Sequence, residues 1–261
     1  MSLAMSDGRP LTLTLLRLQP DMTLVARWAL ASGQRALRDD TGYALHAALH
    51  AVLGALAPQP FMLRSRSEAI ELLGYVNAEP DMLKRALQLP AVDADAAQAL
   101  SVDTARCTAM PTDWRRGERL SFETRVAPVV RSRQVRPGAV VEVDAAWHPL
   151  MANPPGDRQQ AYGRWLAREL ARDGAATLQA WSTLALAQLP IARRHVRPAV
   201  AAGAGRGLSQ GLVPDLRARG ELMLDDPAAF ARLLARGLGR HRAFGFGCLL
   251  LAPAGALHAG E

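Results

Sequence analysis

The chain has 261 residues, 49% hydrophobic and 21% charged, a balance that excludes a disordered protein and a length that suits one large or two ordinary domains. Its 31 basic and 24 acidic residues leave a net charge of +7, and Lys84 is the single lysine, so the positive charge is almost all Arg. Cys107 and Cys248 stand too far apart for a disulfide framework or a thiolate zinc site. A GC-rich genome produces an Arg bias without function, but Arg is also the side chain that grips phosphate in two places and stacks on bases, so a nucleic-acid partner is an expectation from the start. The apolar runs 11–18 and 248–257 fall short of the roughly 20 residues of a spanning helix, and no charged leader precedes a secretory core, so the expected location is cytoplasmic with no membrane partner.

Leu11, Leu13 and Leu15 alternate with Thr12, Thr14 and Leu16, the period-2 signal of a first strand. Residues 21–36 have helix-forming composition interrupted at Ser32 and Gly33. Asp39, Asp40 and Thr41 then offer N-caps for a second helix to about Leu56, stopped by Pro58 and Pro60. Residues 64–89 are again helical in character, and 92–109 form a short helix or a loop, so 64–109 is expected to be a helical insertion. Leu120, Phe122, Thr124 and Val126 alternate with Ser121, Glu123 and Arg125, which predicts a strand over 120–133 with its charges outward, and Val140, Val141 and Val143 predict another.

Pro149, Pro154, Pro155 and Gly156 cluster at the expected domain boundary. Beyond it, Tyr162, Trp165, Leu166, Glu169 and Leu170 recur at helical spacing. Strands follow over about 177–189 and 215–224, Asp225, Asp226 and Pro227 open a helix through Arg236, and a Gly-rich turn leads to a last strand over 244–251. With an earlier strand near Trp147, residues 149–261 suit a ferredoxin-like βαββαβ unit. Residues 9–148 suit a second copy that carries the insertion.

The segment Gly237-Leu-Gly239-Arg-His-Arg242-Ala-Phe-Gly245-Phe-Gly247 follows a helix and precedes a strand, the reverse of a dinucleotide fingerprint. Two readings stand: a helix C-cap with a bulged strand, or a permissive loop that presents Arg240, His241 and Arg242 to a polyanion. Gly207-Leu-Ser209-Gln-Gly211 matches a nucleophile elbow in spelling but lacks the strand-turn-helix context. On the second predicted helix, Tyr43, His46 and His50 gather roughly 60 to 140° from the apolar stripe. They are either solvated or an acid/base group; a metal half-site would need Glu at Ala47.

Residues 106–136 carry eight Arg against three acidic residues, and residues 191–219 carry six Arg against Asp215, each a net of +5. Together they exceed the charge of the whole chain, so the rest is net acidic. Base composition does not explain such concentration, and it points to a defined surface for an RNA or DNA backbone.

Three motifs are similar to those of a known family: Tyr43-Ala-Leu-His46 opening a helix, the strand Leu120-Ser-Phe-Glu-Thr-Arg125-Val-Ala-Pro128-Val-Val-Arg131, and the Gly-rich loop before an apolar strand. The chain resembles the CRISPR RNA-processing endoribonucleases of the repeat-associated (RAMP) superfamily, in patterns shared with the type I-E and type IV enzymes. The resemblance implies an α+β protein of two tandem ferredoxin-like domains, 9–148 with the helical insertion about 64–109, and 149–261 with the Gly-rich loop 237–247. It implies metal-independent cleavage of CRISPR repeat RNA beside its hairpin, with no cofactor. The protein would then stay bound to the crRNA product and join other CRISPR effector subunits. His46 would be the general acid/base, Tyr43 its helper, and Arg38 and Arg242 the cations for the phosphorane. The contacts expected to hold RNA are Arg64, Arg66, Arg115, Arg116, Arg125, Arg131, Arg133, Arg193, Arg194, Arg197, Arg240 and His241. The alternative is a catalytically inactive crRNA-binding subunit.

Overall fold

The computed structural model of the chain describes residues 5–6, 9–33, 40–66, 69–133, 140–195 and 207–256. Its first unit runs β1 (Leu13–Leu18), α1 (Met22–Ala31), α2 (Thr41–Leu53), β2 (Phe61–Arg66), β3 (Ala69–Asn77), α3 (Pro80–Gln88), α4 (Ala94–Ala99) and β4 (Arg106–Ala109). The strands form one antiparallel sheet in the order β2-β3-β1-β4. The second unit runs β5 (Arg119–Val126), the hairpin β6 (Val129–Ser132) and β7 (Val141–Asp144), α5 (Arg158–Leu170), β8 (Ala176–His195), β9 (Gly207–Leu224), α6 (Pro227–Arg236) and β10 (Leu249–Pro253). Its sheet order is β8-β9-β5-β10. Taking the four sheet strands of each unit in chain order, both sheets read second, third, first, fourth, so the chain is two ferredoxin-like βαββαβ units in tandem.

The expected boundary at residue 149 falls inside the second unit. Its first strand is β5, paired with Leu216–Met223 on one side and Leu249–Pro253 on the other, whereas Trp147 lies in a 3-10 turn. The Pro cluster belongs to the connection from β7 to α5. The expected helical insertion 64–109 is also corrected: it contains most of the β2–β3 hairpin and the second half of the first unit. Residues Glu71 to Val76 are all buried, because helices cover one face of β3 and the second unit covers the other. A strand buried on both faces loses the period-2 signal and is then indistinguishable by apolar count from a helix.

That double burial also sets where the units meet. Leu16 and Leu18 of β1 pack under α1 and α2 with Val25, Leu45 and Leu49. On the other face, Leu13, Met62, Leu73 and Tyr75 share one cluster with Phe122, Trp165 and Leu249 of the second unit. Each such buried side chain contributes about 2 kcal/mol of apolar burial. The Tyr75 hydroxyl donates to the Leu249 carbonyl at 2.8 Å, and Arg217 of β9 donates to the Leu63 carbonyl of β2 at 2.9 Å. No helix among the described residues is long and apolar enough to cross a membrane.

Candidate active site

Helix α2 starts where Asp40, in extended conformation, accepts the Tyr43 N–H at 2.9 Å and so satisfies one of the free donors of the first turn. Its buried stripe is Ala44, Leu45, Ala48, Leu49 and Leu53. Tyr43, His46 and His50 form a row on the flank. The two imidazoles meet edge to face at 4.4 Å between centroids, and Tyr43 lies 6.4 Å from His46.

The Gly-rich loop of the second unit closes on this row. Gly237 ends α6 by donating to the Leu233 carbonyl, Leu238 donates to the Gly247 carbonyl, and Gly247 donates to the Arg125 carbonyl, which pins both ends of the loop to the sheet. A side chain at Gly247 would meet the Leu238 carbonyl oxygen at 2.4 Å, and its φ of 84° is a second reason that glycine stands there. Between the pinned ends, Arg242–Phe244 makes one 3-10 turn. The Phe244 ring stacks on Tyr43 at 5.7 Å. Its carbonyl comes so close to α2 that a Cβ on Gly42 would sit 2.2 Å from the oxygen.

His46 is half-buried here, with no hydrogen-bond partner on its enclosed Nδ1. Burial first, and then the neighbouring His50, lower its pKa from the ordinary value, since both disfavour the imidazolium. A neutral imidazole is therefore favoured near neutrality, the form that accepts a proton. Among the described residues no group of three or more His, Cys, Asp or Glu side chains is placed to hold a metal ion.

The structure thus gathers Tyr43, His46 and the turn that carries Arg242, shows His50, expected on the same flank, as the ring partner of His46, and adds two residues that the sequence does not point to: Phe244 as the stacking contact and Gly42 as the point of close approach. A glycine in the first turn of an otherwise strong helix former was the available signal for the last. Arg242 donates to the Arg236 carbonyl. Arg38 and Arg197 lie outside the described residues, as do the side chains of Arg66, Arg193 and Arg194.

The other expected RNA contacts differ in what already occupies them. Arg125 forms a two-pronged pair with Asp215, both bonds 2.8 Å, and lies 4.4 Å over the Phe246 ring. Arg64 pairs with the buried Glu71, which also holds Arg17. Arg240 and His241 both bind Glu142 of β7. Arg115, Arg116, Arg131 and Arg133 are exposed. The first two line, with Trp114 and Pro253, a cavity of about 860 Å³ beside the linker between units. Ser209 lies within β9, so the nucleophile-elbow spelling has no elbow.

A family model described as CRISPR associated protein matches residues 13–253. Solved structures of similar fold include the CRISPR endoribonuclease Cse3 bound to a 19-nucleotide RNA, 22% identical with a TM-score of 0.60 over 93% of this chain and 100% of that one. Thermus thermophilus Cse3 bound to an RNA representing a pre-cleavage complex is 20% identical with a TM-score of 0.58, again over 93% and 100%. A chain of a CRISPR RNA-guided surveillance complex is 18% identical with a TM-score of 0.51 over 92% and 99%. No curated protein sequence matches the chain. At these identities the structural likeness is one of fold.

Proposed function

Because this chain belongs to the CRISPR-associated protein family, whose model spans residues 13–253, we propose that it is a crRNA-maturing endoribonuclease that cuts CRISPR repeat RNA beside its hairpin and keeps the product. The observation that carries this reading is the Tyr43–His46 row of α2 closed over by the Phe244 turn of the other unit. In this reading His46 is the acid/base side chain, and the RNA strand crosses the junction between the two units beside it. The bound-RNA states of the Cse3 structures of like fold support the same class of ligand.

In this reading the 2′-hydroxyl attacks the adjacent phosphorus. Neutral His46, through Nε2, accepts the hydroxyl proton as the new O2′–P bond forms. The P–O5′ bond breaks, and the departing 5′ oxygen takes a proton back from the imidazolium, leaving a 2′,3′-cyclic phosphate and a 5′-hydroxyl. Because the nucleophile is tethered to its target, orientation supplies much of the rate and no metal is required. Tyr43 orients the phosphate, and Arg242 and Arg38 stabilise the phosphorane charge. Exposed Arg131 and Arg133 hold the RNA backbone, and the complex then joins further CRISPR effector subunits in the cytoplasm.

The test is a labelled repeat RNA incubated with the protein in EDTA. The expected result is one cut that gives a cyclic phosphate and is abolished by a 2′-deoxy substitution at the cut, with binding kept. Repeat RNA that is bound but remains intact would assign the chain instead to the inactive crRNA-binding subunits.

A further inference from the structure

The Gly-rich loop owes its shape between the pinned ends to two carboxylates on other elements. Glu169 of α5, 6% exposed, accepts the Gly239 N–H at 3.1 Å. Glu142 of β7 accepts from Arg240 Nε and lies 2.8 Å from His241 Nε2, and the Glu142 and His241 side chains are only 10% and 8% exposed. His241 has a φ of 62°, a left-handed conformation that a residue with a Cβ keeps only where its surroundings hold it. The His241 carbonyl accepts the Phe244 N–H at 2.8 Å and so closes the 3-10 turn. The chain of contacts runs from Glu142 through His241 to Phe244, and from there to Tyr43 and Gly42 of α2.

We propose that Glu142 is a positioning residue for the site: by holding His241 in its left-handed conformation it sets the turn that lays Phe244 on Tyr43. The proposal rests on the nuclease reading above for its effect on catalysis, though not for its effect on the loop. It also gives Arg240 and His241 a different part from the one expected. A carboxylate repels phosphate, so a nearly buried Glu bound to both side chains fits an anchor for the loop better than a pair of backbone contacts for RNA.

Hydrogen exchange on the free protein separates the two layers. In Glu142→Ala the amides of 238–247 should exchange about tenfold faster than in the unaltered protein, while β1 and α1 keep their protection. Unchanged exchange in the loop overturns the proposal whether or not the protein cuts RNA. Faster exchange in a protein whose unaltered form leaves RNA intact upholds the anchor and overturns only the nuclease reading.

Where cleavage is present, Glu142→Ala should slow single-turnover cutting by about tenfold or more at saturating protein while leaving RNA affinity within about twofold. The double variant Glu142→Ala/Phe244→Ala should be no slower than Phe244→Ala alone, because both changes act on one contact. Independent, multiplying losses would mean that Glu142 does not act through Phe244, and would sink the proposal. Glu142→Gln, which keeps an acceptor for one of its two partners, should fold like the parent and lie between parent and Glu142→Ala in both loop exchange and rate. A Glu142→Gln variant as impaired as Glu142→Ala would mean that an acceptor at this position does not tie the loop, and would overturn the proposal.

Discussion

Phe244 of the second unit stacks on Tyr43 of the first with 25° between the ring planes, and the same residue's carbonyl lies against Gly42. The two units therefore meet at the candidate site through backbone as well as through side chains. Gly42→Ala would place a methyl 2.2 Å from that carbonyl oxygen, and a backbone atom cannot step aside as a flexible side chain does. The loop must shift by an ångström or so, and cleavage of repeat RNA should fall about 100-fold with RNA binding kept. Single-turnover rates beside filter-binding affinities measure this.

The lowered pKa of His46 makes two pH predictions. If its neutral form is the base, the cleavage rate should rise with pH through a midpoint below about pH 6.5, the ordinary histidine value. His50→Ala removes the lesser of the two causes of the shift, so the midpoint should move upward toward that value.

For stability the sign runs the same way. The unfolded chain binds the His46 proton at higher pH than the folded one, so stability is full above about pH 6.5 and falls as the pH drops toward the folded pKa. His46→Gln should lose less Tm than the parent between about pH 7.5 and pH 5. Thermal melts at the two pH values decide it.

Arg125 and Arg131 were grouped as RNA contacts, but only Arg131 is exposed, while Arg125 is committed to Asp215 with both side chains about 15% exposed. Asp215→Ala should cost about 2 to 3 kcal/mol in denaturant unfolding, because it strands an enclosed guanidinium. Arg131→Gln should reduce the salt dependence of RNA affinity by about one released ion, and Arg125→Gln should leave that slope unchanged.

The contact between units has its own check. Tyr75→Phe deletes the hydroxyl that donates to the Leu249 carbonyl and should destabilise the protein by about 1 kcal/mol with no change in RNA affinity.

What was legible in the sequence was local. Asp40 and Asp226 cap the two helices expected to follow them, each by accepting backbone N–H groups of the first turn, and such caps involve only neighbours in sequence. The grouping of Tyr43, His46 and His50 followed from helical periodicity alone. Strand β3 was lost for the opposite reason. Its six consecutive buried residues, Glu71 among them, reflect two partners that lie far away in the chain.

By itself, then, the sequence determined the alternation of strands and helices wherever one face meets solvent, the flank on which the histidines stand, and the concentration of Arg in two segments. Only the tertiary structure decided which arginines are already paired with Asp215, Glu71 or Glu142, that the second unit begins at Arg119, and that Phe244 closes on Tyr43. Each of these depends on which distant carboxylate or sheet face meets a given side chain once the two units pack. Pairing energy and burial are properties of such contacts, and no window along the chain contains both partners.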